Sequence, residues 1–218
     1  DESSLFDYLT AGKDTTVTFE QIVKKTKSLG SKFPPGTKGK AHYSDSNFQL
    51  LGKIIQNVTG KTMEAVYEEL IFEPLKTKHT YLYNDISDTI PRIFYYKNDP
   101  LNIPNMMKSF QSDGVIVSTS KENLIFLKSY LISEFFSEEN INIITDWNKI
   151  YSPFQYGIGV MKFKFPGMPE MIGHSGANGS FAYYIPAKNI YITGTINQID
   201  KPQLAYKLIG KILSEIEN

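Results

Sequence analysis

The sequence has no cysteine, which excludes disulfides, thiolate metal ligands and cysteine nucleophiles. It has no surplus of either charge, with 23 Lys and Arg against 23 Asp and Glu and a formal net charge of +0. That balance argues against nucleic acid and against a polybasic membrane patch. No apolar run reaches the ~18 residues of a transmembrane helix. Histidine is scarce: His42, His79 and His174. No two of them have the helical spacing of a metal pair and no carboxylate cluster adjoins them, so no metal site is expected. The opening stretch, DESSLFDYLT, carries neither an initiator methionine nor a basic-then-apolar leader. The expectation is a processed, trimmed or partly represented chain.

What is present fits a globular chain. It has 218 residues, 41% hydrophobic and 21% charged, enough for one core or for two tightly joined subdomains. TFEQIVKKTKSLG reads as a helix, with Thr18 and Gln21 at capping-box spacing and Gly30 placed to end it. After a Pro/Gly-rich loop, Leu51, Ile54, Ile55 and Val58 form the stripe of an amphipathic helix. Ser46 and Gln49 predict a second capping box there, and Gly60 a stop. Further helices are expected over about 62–71, with Pro74 beyond the end, from about residue 120, and near 137–145. VIV at 115–117 suits a short strand. From residue 156 the pattern changes. YGIGVMKFKF, GSFAYYIPA and NIYITGTIN predict three antiparallel strands, and a last helix presents Ala205, Leu208, Ile209 and Ile212. The expected class is α+β: one partial domain over 1–218, mainly helical over 17–150, with strands and a C-terminal helix over 151–218.

Two stretches sit where element ends expose side chains. The first is HYSDSN. A tyrosine such as Tyr43 is a poor base unless a nearby cation lowers its pKa, after which it can take a proton near neutrality. Asp45 would orient a substrate amide or a lysine. The alternative is that Tyr43 packs against its loop and Asp45 caps the helix. The second stretch is GHSGANG. Gly173 and Gly176 flank His174, and glycine permits close approach of a backbone or ligand. Beyond them Ala177 can offer its N–H to an oxyanion. His42 and His79 read as surface or structural histidines.

Together these stretches resemble the serine β-lactamase and penicillin-binding protein superfamily, in its class C-like, DD-peptidase and esterase branch. That family carries Ser-x-x-Lys, Tyr-x-Asn, and Lys-Thr-Gly or His-x-Gly in chain order. YSD at Tyr43–Asp45 resembles the second motif and HSG at His174–Gly176 the third. FPPGTKGKAHYSD, NFQLLGKIIQNVTGKTMEAVYEELIFEPL, SDGVIVSTSKENLIFL and YGIGV resemble the surrounding segments. The resemblance implies a β-lactamase/transpeptidase-like fold, with a helical subdomain and an antiparallel sheet flanked by N- and C-terminal helices. It also implies acyl transfer without metal or organic cofactor, on a small molecule or a cell-wall polymer outside the cytoplasm, at the cell surface or secreted. Tyr43, Asp45 and His174 would be the catalytic residues, and Ser175, Gly176 and Ala177 would bind substrate.

Two departures alter the expectation. Asp45 stands where Asn is usual and lacks the amide donors, which favours an ester or an ammonium-bearing substrate such as a D-alanyl ester. His174 in place of Lys points away from strong β-lactamases. The second and larger departure is that the first motif is missing. Only Ser118 has a lysine three residues on, Lys121, and it lies between the second and third motifs, out of family order. Thr119 and Glu122 explain it as a helix start. The nucleophile is therefore expected upstream of Asp1. The missing segment would act as a covalent or separate partner needed for stability; otherwise the chain is an inactive binding or scaffold module.

Overall fold

A computed structural model describes residues 13–132 and 144–216. The chain falls into two units, Asp1–Lys32 with Ser44–Thr119, and Phe33–Tyr43 with Ser120–Asn218.

In the first unit, α1 (Phe19–Leu29) begins at the capping box expected from its sequence. The Thr18 side chain accepts from the Gln21 N–H, and the Gln21 side chain accepts from the Thr18 N–H. Gly30, at φ 69°, ends it. Helix α2 (Asp45–Thr59) departs from expectation at both its cap and its face. Ser44 is the N-cap and makes no side-chain cap bond. Ser46 Oγ instead accepts from Thr26 Oγ1 at 2.9 Å, and Gln49 Nε2 donates to Asp113 Oδ1 at 2.7 Å, so the Ser46–Gln49 box does not form. The buried face is Gln49 and Gly52. A Cβ on Gly52 would lie 2.4 Å from Ser112 Oγ, so only glycine admits the loop that brings Asp113 to the helix. Most of the expected stripe faces outward: Leu51 and Ile54 are about half exposed and Val58 is 81% exposed, while Ile55 is half-buried against the core of this unit. Gly60 stops the helix as expected, in the left-handed region, with its N–H on the Gln56 carbonyl.

The next helix is longer than its sequence suggests. It runs as α3 (Met63–Tyr67), a π turn (Glu68–Phe72) and α4 (Glu73–Leu75). Pro74 lies inside it, in the first turn of α4, where a missing N–H is tolerated. Two small antiparallel pairs follow: β1 (Tyr81–Leu82) with β4 (Ile116–Val117), and β2 (Phe94–Tyr96) with β3 (Asp99–Leu101). Helix α5 (Pro104–Ser109) is anchored by the Asp14 carboxylate, which accepts the N–H groups of Asn105 and Met106. Met63, Leu82, Tyr83 and Val115 form the core of this unit.

In the second unit, α6 (Ser120–Leu131) matches the helix expected from about residue 120. The sheet has six antiparallel strands where three are expected. In chain order these are β5 (Asn148–Tyr151), β6 (Phe154–Tyr156), β7 (Met161–Phe163), β8 (Met171–Ser175), β9 (Ser180–Ile185) and β10 (Ile190–Thr195), each paired with the next. The unanticipated strands have physical reasons to be quiet in sequence: β5 and β6 are short, and β8 carries a glycine in its middle. Along β9, Phe181, Tyr183 and Ile185 alternate inward. They meet Ala205, Ile209 and Leu213 of α7 (Gln203–Ile216), with Phe163 and Met171 completing the core. Leu208 and Ile212 lie at the margin of that face, 42% and 37% exposed, and Leu213 takes the inner position. The helix expected near 137–145 falls mostly on 133–143, outside the described residues. No helix among the described residues is long and apolar enough to cross a membrane.

Candidate active site

The second unit brings Tyr43 and His174 together. Tyr43 arrives on the segment 33–43, which is fastened to β5 by backbone bonds. Lys149 N–H donates to the Gly39 carbonyl at 3.3 Å and Ala41 N–H to the Lys149 carbonyl at 2.9 Å. Asn148 Oδ1 accepts the Gly39 N–H at 2.9 Å. Two residues further on, the half-buried Tyr43 ring stands 5.7 Å from the His174 ring and 5.6 Å edge-on from Tyr156, centroid to centroid.

His174 projects from β8, whose register fixes it opposite Ala182 of β9. Its neighbour Gly173 is required by packing: a Cβ there would lie 2.0 Å from the Ala182 carbonyl oxygen and 2.8 Å from Tyr183 Cα. His174 Nε2 lies 3.2 Å from Tyr156 Oη, and Nδ1 lies 2.9 Å from the Ser175 carbonyl oxygen. Tyr156 is the member of this cluster that the motifs do not assign. Its signal was a tyrosine opening YGIGV, just ahead of a strand that pairs with the histidine strand.

Strand alternation sends the Ser175 side chain to the other face from His174. On that face lies the Tyr183 phenol, whose hydroxyl is 3.4 Å from that of Tyr206 and whose pKa is raised, chiefly by burial. Ser175 therefore meets the cluster through its carbonyl. Gly176 and Ala177 begin an exposed turn. The Gly176 N–H donates to the Ser180 carbonyl at 2.9 Å and the Gly179 N–H to the Gly176 carbonyl at 3.0 Å. Asn178 Oδ1 accepts both the N–H and the O–H of Ser180. None of these bonds uses the Ala177 N–H. A Cβ on Gly176 would crowd Ser180 Oγ at 2.6 Å, so this turn also depends on its glycine.

Asp45, the remaining candidate, is exposed and is the first residue of α2 in the other unit. Its charge helps to raise the pKa of Asp113 in that unit. Burial is the larger cause, and the Gln49 hydrogen bond only partly opposes it, leaving Asp113 pushed up to about 7. Ser118, the serine with a lysine three residues on, shares a hydrogen bond with Thr80 Oγ1 at 2.8 Å beyond the end of β4. His42 and His79 are exposed.

Comparison with known proteins gives the family of the chain. The chain is 29% identical over 192 residues to the D-alanyl-D-alanine-carboxypeptidase/endopeptidase AmpH of Escherichia coli K12, covering 79% of this chain and 49% of that protein. It is 29% identical over 122 residues to the teichoic acid D-alanine hydrolase of Staphylococcus aureus, covering 54% of this chain and 30% of that protein. The chain thus spans half or less of the length of these curated relatives. Among solved structures, the fold is similar to the D-amino acid amidase from Ochrobactrum anthropi SV3, with a TM-score of 0.77 and 19% identity over 93% of this chain and 66% of that one. The profile described as Beta-lactamase matches residues 2–213, nearly the whole sequence, and the chain belongs to the β-lactamase family.

Proposed function

We propose that these residues form part of a serine acyl hydrolase of the penicillin-binding protein and β-lactamase type. It would act on D-alanyl ester or amide bonds of cell-wall polymers, or on related esters, outside the cytoplasm. The observation that carries the reading is the approach of Tyr43 to His174, 5.7 Å between rings, beside the turn that holds Ala177. The names of the relatives add D-alanyl substrates.

In this reading the nucleophile is the serine of a Ser-x-x-Lys motif supplied by chain preceding Asp1. Its hydroxyl attacks the acyl carbonyl, and the proton passes through the Tyr43 phenol to the leaving alkoxide or amine. The Ala177 N–H and the nucleophile's own N–H hold the oxyanion. Water then enters, gives up a proton by the same route and releases the acid. Asp45, carrying a carboxylate in place of an amide, pairs with the ammonium of a D-alanyl ester.

The test uses the whole protein. A fluorescent penicillin or a phosphonate should acylate it slowly, and it should release D-alanine from a D-alanyl ester. Replacing the upstream serine should abolish both, and Tyr43→Phe should lower hydrolysis by about 100-fold or more, the usual worth of a positioned acid–base group. Hydrolysis undiminished in Tyr43→Phe would sink the proposal. Asp45→Asn should shift preference away from ammonium-bearing esters.

A second reading applies if the whole protein holds no Ser-x-x-Lys serine in family order. In that case the protein is an inactive binding or scaffold module that keeps the cleft. The residues encoded before Asp1, or the intact mass of the native protein, decide between the two.

A further inference from the structure

The two contacts of His174 constrain its protons. A carbonyl oxygen only accepts, so the 2.9 Å contact to Ser175 requires the hydrogen on Nδ1. In a neutral imidazole Nε2 is then a bare acceptor, and the group 3.2 Å away is the Tyr156 hydroxyl, which can donate. The ring is thus gripped at both nitrogens, by its own strand on one side and by β6 on the other. The Tyr156 ring stands edge-on to it, at 87° and 5.8 Å between centroids. An imidazolium would reverse the second bond, turning Tyr156 from donor to acceptor. Tyr43 and Tyr156 are titratable side chains packed against His174.

Resting on the reading of Tyr43 and His174 as parts of one acyl-transfer cleft, we infer that Tyr156 is a positioning residue. It holds His174 as a neutral imidazole protonated at Nδ1, with its plane fixed beside Tyr43. His174 then has no proton on Nε2 to give. It works as a fixed acceptor beside the Tyr43 ring.

Histidine ring nitrogens report this directly. In the 15N-labelled whole protein, long-range proton–nitrogen correlation at neutral pH should show His174 with a protonated, pyrrole-type Nδ1 and an acceptor, pyridine-type Nε2. His42 and His79 serve as exposed references, and His174→Gln supplies the assignment. In Tyr156→Phe the Nε2 resonance should shift as its hydrogen bond is lost, while Nδ1 keeps its proton on the Ser175 carbonyl. kcat/KM on a D-alanyl ester should fall roughly three- to tenfold, the scale of one lost hydrogen bond. A wild-type His174 protonated at Nε2 overturns the inference, and so does an unchanged spectrum in a folded Tyr156→Phe. If that variant does not fold, the wild-type spectrum decides alone. The expected tautomer in a protein that hydrolyses no D-alanyl bond would defeat the hydrolase reading and leave the assignment of Tyr156 standing.

Discussion

Asp113 makes the stability of the first unit sensitive to pH in a direction opposite to most carboxylates. Its side chain is held between α2 and the loop before β4, where burial pushes its pKa from 3.8 up to about 7. The Gln49 amide donates to it at 2.7 Å and recovers only part of the lost hydration. Between those two values the folded chain keeps a proton that the unfolded chain releases. Stability therefore falls as pH rises through that window and stays low above it. At about 1.4 kcal/mol per tenfold change in proton affinity, the full cost is roughly 4 kcal/mol. Of this, about 2–3 kcal/mol should appear between ~pH 5 and ~pH 8. Asp113→Asn keeps the shape and the acceptor for Gln49 but cannot ionise. Urea unfolding of both proteins at the two pH values isolates the effect, because every other titrating group contributes equally to both. The variant should gain about 2–3 kcal/mol on the wild type from the lower to the higher pH. A difference constant to within ~0.5 kcal/mol would show that Asp113 is ionised in the fold near its ordinary pKa.

Three other substitutions probe the second unit. Ile209→Ala removes a fully buried side chain from the contact between α7 and β9 and should cost about 2–5 kcal/mol in denaturant unfolding. Gly173→Ala places a methyl 2.0 Å from the Ala182 carbonyl oxygen, so β8 and β9 must separate. Faster amide exchange at His174 and Ala182, with a stability loss of more than ~3 kcal/mol, is expected, and unchanged exchange would contradict the packing. Asn178→Ala strips the acceptor from both Ser180 donors. It should loosen the turn around Ala177 at a cost of about 1–3 kcal/mol, readable as a lower Tm, with any hydrolytic activity reduced alongside.

The sequence was most readable where the determinants are local. The Thr18–Gln21 box and the stops at Gly30 and Gly60 need only a few consecutive residues, and each formed. The α2 face was misread because its partner is remote: Asp113, 64 positions from Gln49, draws a polar edge inward and leaves Leu51, Ile54 and Val58 outside. Pro74 looked like a terminator because a π turn ahead of it leaves no periodic trace. Strands β5, β6 and β8 were missed because short or glycine-broken segments lack alternation. Within the candidate site, the family resemblance pairs Tyr43 with His174, and the two rings lie 5.7 Å apart. Tyr156 escaped because its relation to His174 is a cross-sheet contact through β7, with no motif of its own.

The bridge that ties Lys40 to Lys149 has a kinetic consequence. Gly39 and Asn148 are 109 positions apart, so Tyr43 cannot take its place until β5 exists, nor meet His174 until β8 does. Closing so long a loop is slow, and its entropy must be offset before the contacts reward it. On the ribosome, the helical residues from Asp45 onward emerge well before β5 and β8 and can organise without the cleft. The arrangement of Tyr43, Tyr156 and His174 is thus among the last to assemble. A chain truncated before β8 would keep Tyr43 and Tyr156 but lack the histidine that both rings approach.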